Sequence, residues 1–309
     1  MRAVRFEDYG DVDVLTIEEV PRPEPGPGEV VVKVVTAGTN PGEGAIRSGA
    51  GRDRFPAHFP EGQGSDLAGV VAAVGAGVPQ LAVGQAVIGL SDGRNAQADY
   101  ALLPAGRVVP KPDRLDWAAA ATLYVAGTTA LVMLQVTDPK PGETVAISGA
   151  AGGVGVFATQ LAVGTGARVL AIASGANHER LRAWGAEPVA YGDGLEDRLR
   201  AVAPDGIDAF LDTYGDGYVE LALRLGVPKD RVETIIDFAT AGRVGAVAKG
   251  MAALDDPAAG VARLARLVAD GHIEVPIKGR FPLEQVQDAY RAVESRSGLG
   301  KVVLDVSAP

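Results

Sequence analysis

The spacing of apolar residues changes part-way along the chain. Up to about residue 118, short apolar runs such as 30–35 and 69–75 alternate with turns rich in proline and glycine, a pattern typical of β-strands. From Gly142 onward, apolar runs alternate with segments of helical spacing, and such alternation builds a parallel sheet with helices packed on it. The predicted strands here are 144–148, 168–173, 188–190 and 207–211, and the predicted helices are 154–163, 178–184 and 195–202.

The last part of the chain returns to a mixed pattern. It predicts helices over 261–269 and 283–293, with strands over 273–277 and 301–306. These late strands are expected to rejoin the first, β-rich region. The sequence therefore predicts an α/β protein in which a doubly wound parallel sheet is inserted into a β domain.

Composition narrows the possible functions. The 309 residues are enough for about two domains, and 29 Lys+Arg against 39 Asp+Glu give a net charge of −10. This charge argues against nucleic acid as a partner. The absence of cysteine excludes disulfides, thiolate metal sites and cysteine nucleophiles.

Two charge-free segments, 117–137 and 144–167, are long enough to be compared with membrane spans. The first is rich in Ala and Thr and the second is interrupted by six glycines, which favours buried α/β packing over a membrane span. The amino terminus is charged from Arg2 and resembles no secretory signal. We therefore expect a cytoplasmic protein without a membrane partner.

The most informative segment is 145–155, an apolar strand that leads through glycines into a helix. Main-chain N–H groups at a helix start bind a pyrophosphate, and glycine allows its close approach. Gly152 and Gly155 match the later glycines of G-x-G-x-x-G, whereas Ala150 replaces the first. A tight turn without a ligand is the alternative. The predicted dinucleotide contacts are Ala151, Gly152, Gly153 and Val154.

The residue after the second strand indicates which coenzyme binds. An acidic side chain at this point holds the ribose 2′-hydroxyl of NAD, but here the strand ends at Ser174 and Glu179 is the first carboxylate. A 2′-phosphate would meet no repulsion and would find donors at Ser174, Asn177, Arg180 and Tyr191. We therefore predict NADPH. Ser174 could instead only form a turn, and Arg180 could be a solvated helix charge.

Several further motifs occur together in order. They are 23–30, 39–43, 64–75, 83–87, 96–100, 118–130, 150–155, 185–187, 208–213 and 300–304. With them, the chain resembles the medium-chain dehydrogenase/reductase superfamily, and within it the zinc-free quinone oxidoreductase branch that includes zeta-crystallin. The resemblance implies a GroES-like domain of residues 1–118 and 270–309 with an inserted Rossmann domain of residues 119–269, and it implies a homodimer.

The histidine and cysteine ligands of zinc-dependent relatives are missing. Those relatives have Gly-His-Glu where this chain has Gly64-Ser65-Asp66. The three histidines, at positions 58, 178 and 272, lack metal-ligand spacing, so no metal is predicted. Without a Lewis acid, alcohol oxidation is difficult, which favours reduction of an electrophilic acceptor.

The resemblance implies an NADPH-dependent reductase that transfers hydride to a small-molecule quinone or α,β-unsaturated carbonyl. Two alternatives stay open. One is an enoyl-thioester reductase, although the tyrosine that some such relatives carry shortly after Asn-Pro is absent from residues 42–63. The other is a non-catalytic NADPH-binding sensor or crystallin-like protein.

The resemblance also implies roles for single residues. Asn40 would donate to the acceptor oxygen and Tyr124 would line the substrate space. The competing interpretations are a turn before Pro41 and core packing. Coenzyme contacts are implied for four more residues, which could equally be packing or capping residues: Thr128, Tyr214 near adenine or ribose, and Asp237 with Phe238 near nicotinamide.

Overall fold

The computed structural model describes residues 1–309 apart from the side chain of Ala252. The chain packs into two units. The first unit consists of residues 1–125, 256–297 and 301–309, and the second of residues 126–255 and 298–300. These limits differ from the predicted domain limits mainly because the helix Pro257–Ala269 packs on the strand Val108–Pro110 of the first unit. The predicted limits at 118 and 270 stay a prediction.

Strands and helices follow the order below. The strands are β1 (Arg2–Phe6), β2 (Thr16–Glu19), β3 (Glu29–Gly38), β4 (Glu61–Gly62), β5 (Asp66–Val74), β6 (Ala86–Leu90), β7 (Tyr100–Pro104), β8 (Val108–Pro110), β9 (Thr144–Ser148), β10 (Arg168–Ala173), β11 (Glu187–Ala190), β12 (Ala209–Asp212), β13 (Val232–Thr234), β14 (Ile277–Pro282) and β15 (Lys301–Asp305). The α-helices are α1 (Pro41–Arg47), α2 (Trp117–Ala120), α3 (Thr128–Thr137), α4 (Gly155–Gly164), α5 (His178–Ala183), α6 (Leu195–Val202), α7 (Tyr218–Arg224), α8 (Phe238–Val244), α9 (Pro257–Ala269) and α10 (Val286–Glu294).

The first unit is built around a mostly antiparallel sheet. Its strand order is β14-β15-β3-β5-β6-β8, and β7 also pairs with β3. The late strand β15 joins the early strand β3 in antiparallel register, with Leu304 opposite Ala37, so the chain end does rejoin the β-rich region. Alternate valines of β3, Val30, Val32 and Val34, are fully buried in the core of this unit.

The second unit contains five parallel strands in the order β11-β10-β9-β12-β13. The order reverses between β9 and β12, because β10 lies on one side of β9 and β12 on the other. In open α/β sheets ligands bind at the carboxyl ends of the strands beside such a reversal. The predicted α/β fold class with a parallel sheet is confirmed.

One predicted strand is wrong. Residues 273–276 form no strand, and β14 begins only at Ile277. Ile273 is 4% exposed and its N–H, like that of His272, donates to the carbonyl of Leu267 in the last turns of α9. Its apolar side chain therefore covers the end of a helix. A short apolar segment in the sequence does not show whether it covers a helix end or forms a strand.

The two charge-free segments contain short helices, including α3 and α4. Over the described part of the chain, no helix has the length and apolar character needed to cross a membrane.

Candidate functional site

The glycine turn connects β9 to α4 at the point where the strand order reverses. Gly149 has a positive φ of 58°, a conformation that glycine adopts without strain. A Cβ added at Gly155 would lie 2.1 Å from the carbonyl oxygen of Gly149. No side chain fits at position 155, so this glycine is required by the packing of the turn itself.

The same turn presents main-chain donors. The N–H of Gly152 donates to the carbonyl of Gly149 at 2.8 Å, whereas the N–H groups of Gly153, Val154 and Gly155 have no acceptor among the described residues. Gly153 and Val154 are only partly buried. Successive unpaired donors at the start of a ten-residue helix fit the negative charge of a pyrophosphate.

Ala151 behaves differently from its neighbours. It is 6% exposed, and its carbonyl accepts a hydrogen bond from the N–H of Gly300 at 2.9 Å. This bond holds residues 298–300 against the turn. The predicted coenzyme contact of Ala151 stays a prediction, as do those of Gly152, Gly153 and Val154.

Three of the other predicted coenzyme contacts lie at the same edge of the sheet. Ser174 follows β10, Tyr191 follows β11, and Tyr214 lies two residues after β12. Because these strands run parallel to β9, their carboxyl ends share the edge that carries the glycine turn. Tyr191 is 60% exposed, and the Oγ of Ser174 accepts from Nδ2 of Asn177 at 3.2 Å.

The remaining predicted contacts have local structural roles as well. Asp237 caps α8 by accepting from the N–H of Thr240 at 3.1 Å, and the adjacent Phe238 is 41% exposed. Thr128 is fully buried in the first turn of α3, and Arg180 is exposed on α5. Their contacts with a coenzyme stay predictions.

Sequence analysis missed a buried carboxylate that fastens the strand ends. Asp212, the last residue of β12, is 0% exposed. Its two oxygens accept from the hydroxyls of Ser148 at 2.6 Å and Thr234 at 2.8 Å, and Oδ1 also accepts from the N–H groups of Tyr214 and Gly215. This carboxylate therefore connects the carboxyl ends of β9, β12 and β13. The only signal in the sequence is an aspartate that ends an apolar strand.

In the first unit, the predicted Asn40 lies in a buried polar cluster. Its Nδ2 donates to Oδ2 of Asp66 at 2.9 Å and to Oε1 of Glu43 at 3.2 Å, and its Oδ1 accepts from the ammonium of Lys301 at 2.7 Å. Asn40 and Glu43 also form a capping box at the start of α1. Both amide protons already have acceptors, so the predicted donation to a substrate oxygen would have to replace one of these bonds.

Burial shifts the pKa values in this cluster. It raises the pKa of the Asp66 carboxyl to about 6, against the opposing effect of the Lys301 ammonium, and it lowers the pKa of that ammonium. Burial also raises the pKa of Tyr290, whose hydroxyl donates to Oε2 of Glu43 at 2.7 Å. Tyr290 and Lys301 were not found from the sequence, because they come from a distant part of the chain. Glu43 was also missed, although its place three residues after Asn40 is the local signal of a capping box.

Tyr124 lies in the π-helical turn Leu123–Gly127 and is 1% exposed. Desolvation raises the pKa of its phenol, and the Arg107 guanidinium beside it opposes that rise. The phenol is therefore neutral at pH 7. A π-turn often marks a functional position, but the predicted substrate contact of Tyr124 stays a prediction.

The residues that replace the zinc ligands belong to the same cluster. The N–H of Ser65 donates to Oε1 of Glu43 at 2.9 Å, and Asp66 accepts from Asn40 and from the N–H of Val125. Within the described residues, no group of three or more histidine, cysteine, aspartate or glutamate side chains is arranged to hold a metal ion. The sequence-based prediction of zinc independence is not tested by this observation.

Comparison with known proteins identifies the family. The profile of the alcohol dehydrogenase GroES-like domain matches residues 26–113, and that of the zinc-binding dehydrogenase domain matches residues 184–304. A quinone oxidoreductase of Pseudomonas aeruginosa is 29% identical over 334 residues, which cover 98% of this chain and 99% of that protein. The two profiles and this full-length relative place the chain in the medium-chain dehydrogenase/reductase superfamily, with similarity to its quinone oxidoreductases. The predicted GroES-like and Rossmann folds are confirmed.

Two solved structures show how far the likeness extends within this superfamily. An NAD-dependent alcohol dehydrogenase is 29% identical with a TM-score of 0.87, covering 99% of this chain and 100% of that one. The enoyl reductase CurK is 25% identical with a TM-score of 0.87, covering 99% of each chain. All three relatives are oxidoreductases by name, and this chain is an oxidoreductase of their superfamily.

Proposed function

We propose that the protein is a zinc-independent, NADPH-dependent reductase of quinones or α,β-unsaturated carbonyls. The observation that supports it most is the arrangement at the carboxyl edge of the second unit. There, unpaired N–H groups of the glycine turn share an edge with Ser174, an uncharged residue in the place of the acidic residue that binds NAD. The name of the Pseudomonas aeruginosa relative agrees with a quinone acceptor.

The residues of the second unit would bind the coenzyme. The N–H groups of Gly153, Val154 and Gly155 would hold the pyrophosphate, together with contacts from Ala151 and Gly152. The residues after the neighbouring strands would hold the rest: Ser174, Arg180 and Tyr191 the 2′-phosphate, Tyr214 the adenine half, and Asp237 and Phe238 the nicotinamide half. Thr128, at the start of α3, would also contact the coenzyme. When bound, NADPH would supply a hydride from C4 of its ring to the electrophilic carbon.

In the first unit, Asn40 and Tyr124 would contact the reacting groups. The donor set supports reduction without zinc, because Asn40, Ser65 and Asp66 provide only oxygen atoms and an amide, without a thiolate or an imidazole. A buried ammonium, that of Lys301, already neutralises part of this charge. Without a Lewis acid to stabilise an alkoxide, an acceptor that is already electrophilic is the better substrate.

Turnover and binding measured separately would test the proposal. Purified protein, with its metal content determined, would be mixed with NADPH or NADH and a panel of quinones, enones and enoyl thioesters. We expect loss of reduced-coenzyme absorbance with quinones or enones and tighter calorimetric binding of NADPH than of NADH. Stoichiometric zinc, tighter NADH binding or turnover of alcohols alone would contradict the proposal.

Two alternative outcomes identify other functions. Turnover confined to enoyl thioesters would favour the activity named for the enoyl reductase neighbour. Tight binding of NADPH with no turnover on any acceptor would favour a sensor or crystallin-like protein. We also propose a homodimer, as in the resemblance described above, and light scattering should then give about twice the chain mass of 31.6 kDa.

A further inference from the structure

The buried ammonium of Lys301 is a feature that the proposed function does not explain. Lys301 is the first residue of β15 and is 3% exposed. Its Nζ donates to the carbonyl of Thr39 at 2.9 Å and to Oδ1 of Asn40 at 2.7 Å. A buried lysine is costly unless its charge and its donors are satisfied, and here both are satisfied by residues 39–40 and the carboxylates next to them.

The surrounding groups allow only one orientation of the Asn40 amide. An ammonium can only donate hydrogen bonds, and ionised carboxylates can only accept them. Lys301 faces Oδ1, while Asp66 and Glu43 face Nδ2. Exchanging the two ends of the amide would place its NH2 against the ammonium and its oxygen against two carboxylates. The charges therefore fix the amide in one orientation.

This orientation also limits what Asn40 can bind. Both protons on Nδ2 are donated within the cluster, and the backbone N–H of Asn40 donates to Oε2 of Glu43 at 2.9 Å. The remaining capacity of the side chain is the second lone pair of Oδ1. A lone pair repels an oxyanion but accepts from an N–H or O–H group.

We propose that Lys301 is a positioning residue that fixes Asn40 as a hydrogen-bond acceptor, and that Asn40 accepts a hydrogen bond from a neutral N–H or O–H group of the bound coenzyme. This inference builds on the proposed function and changes one part of it, because the donor to a developing oxyanion must then be another group. Lys301 acts through Asn40 and touches no reacting atom.

Variants of the two residues test this dependence. We expect Lys301→Met and Asn40→Ala each to weaken NADPH binding about tenfold by calorimetry, the size of one lost hydrogen bond. The double variant should lose no more than either single variant, because Lys301 works only through Asn40. Losses that multiply in the double variant, or unchanged binding in Lys301→Met, would overturn the proposal.

Lys33→Met is the matched control. Lys33 is a partly exposed lysine on β3, in the same sheet as β15, and its ammonium donates to the carbonyl of Ala308 at 2.8 Å. The variant removes one lysine from this sheet at a position that does not contact Asn40, so coenzyme affinity should stay within about twofold of wild type. An equal loss of coenzyme affinity in this control would show that the effect comes from the loss of one positive charge and not from the position of Lys301.

The pH profile supplies a readout that a purely structural role would not move. The charged and titratable groups facing the cluster are Asp66, Glu43, Tyr290, Lys278 and Lys301. Protonating Asp66 removes the carboxylate that holds Nδ2, so kcat/KM should fall below about pH 6. Lys301→Met removes the ammonium that stabilises this carboxylate, so Asp66 should be protonated at higher pH. The fall of kcat/KM on the acid side of the profile should then begin at higher pH than in wild type. An acid-side fall of kcat/KM at the same pH in wild type and Lys301→Met would contradict the proposal.

A coenzyme analogue distinguishes the two sources of the donor. The 3-acetylpyridine analogue of NADP has no carboxamide N–H. Weaker binding of the analogue than of NADP by wild type, with equal binding of the two by Asn40→Ala, would identify the carboxamide as the donor. Equal binding by wild type, with both weakened by Asn40→Ala, would identify a hydroxyl.

Nuclear magnetic resonance separates this inference from the proposed function and does not depend on a stable variant. The Asn40 side-chain amide protons of wild type should be protected from exchange, and they should shift as Asp66 titrates near pH 6. Ligand binding should leave them protected. If neither coenzyme binds, the proposed function fails, while these resonances still test whether the amide is fixed. Rapid exchange at pH 7 would overturn the inference.

Discussion

The two units neutralise buried negative charge in different ways. Among the described residues, the buried cationic side chains, Arg47, Lys111 and Lys301, all belong to the first unit. There the ammonium of Lys301 interacts electrostatically with the carboxylates of Asp66 and Glu43. In the second unit, the equally buried Asp212 accepts only from hydroxyl and main-chain N–H groups.

The difference agrees with what each unit is proposed to bind. A sheet edge that binds a pyrophosphate through main-chain donors needs those donors unpaired, as at Gly153 and Val154. The first unit has no such turn and can fix a single amide with full charges. The second unit therefore depends on backbone geometry, and the first on side-chain charge.

The largest effect is expected from adding a side chain at Gly155, in the glycine turn of the second unit. Gly155→Ala would place a Cβ 2.1 Å from a carbonyl oxygen, so we expect a loss of about 3 kcal/mol or more in unfolding free energy and coenzyme binding weakened at least 100-fold. Urea unfolding and calorimetry measure the two effects. Gly164→Ala is the control, because no atom lies within 4 Å of a Cβ at that end of the same helix. Similar losses in both variants would refute the geometric explanation.

A second effect concerns a buried carboxyl in the second unit, whose desolvation the Lys249 ammonium offsets only in part. Glu233 on β13 is 0% exposed; Oε1 accepts from the N–H of Lys249, and Oε2 has no partner among the described residues. Burial raises its pKa from 4.5 to about 7. The folded state therefore binds this proton more tightly than the unfolded state, and the resulting stability is complete below pH 4.5 and lost as the pH rises through about 7.

Glu233→Gln should remove this pH dependence. Between pH 5 and 8, the unfolding free energy of wild type should fall by up to about 3 kcal/mol more than that of the variant. Urea titrations at several pH values measure the difference. Glu179→Gln, at an exposed position on α5, should follow wild type. Parallel curves for wild type and Glu233→Gln would show that this carboxyl is ionised throughout.

A smaller effect is expected where the coenzyme would meet a strand end. Ser174→Asp places a negative charge after β10, and repulsion of a 2′-phosphate should weaken NADPH binding about tenfold while NADH binding is retained. Fluorescence titration measures both affinities. Ser174→Thr keeps the hydroxyl and should bind NADPH as wild type does. Unchanged NADPH affinity in Ser174→Asp would show that the 2′-phosphate does not bind beside this residue.

The smallest effect concerns an exposed arginine. Arg180→Ala should weaken NADPH binding about threefold, because a solvated side chain contributes little to binding a phosphate. Arg182→Ala removes another exposed arginine of the same helix and should change the affinity by less than this. Equal small losses in both variants would indicate only a general effect of net charge, and the predicted contact of Arg180 would then be wrong.

The same contrast explains what the sequence could predict. The strands β9 and β10 were predicted with their observed limits, because apolar runs bounded by glycines are local signals. The glycine turn was found for the same reason. In the cluster around Asn40, residues 43 and 66 are near in sequence, but Lys301 bonds to Asn40 across 261 residues and Tyr290 bonds to Glu43 across 247. No local pattern predicts contacts over such separations.

The features that the sequence did not predict also depend on contacts made only in the folded chain. Residues 273–276 look like a strand because apolar residues also cover helix ends, as Ile273 does. Asp212 was overlooked because its donors, Ser148 and Thr234, become neighbours only when the parallel sheet forms. A sequence shows which residue types are present, but the pairing of distant strands decides which of them meet.

The close approach of Gly155 to Gly149 has a practical consequence for protein engineering. A library that aims to change coenzyme preference gains nothing from randomising position 155, since a Cβ there meets a carbonyl oxygen and not the ligand. The codons worth varying are those after β10 and β11, at Ser174 and Tyr191, where side chains are at least partly exposed. Selection there can alter specificity while the strand-to-helix connection stays intact.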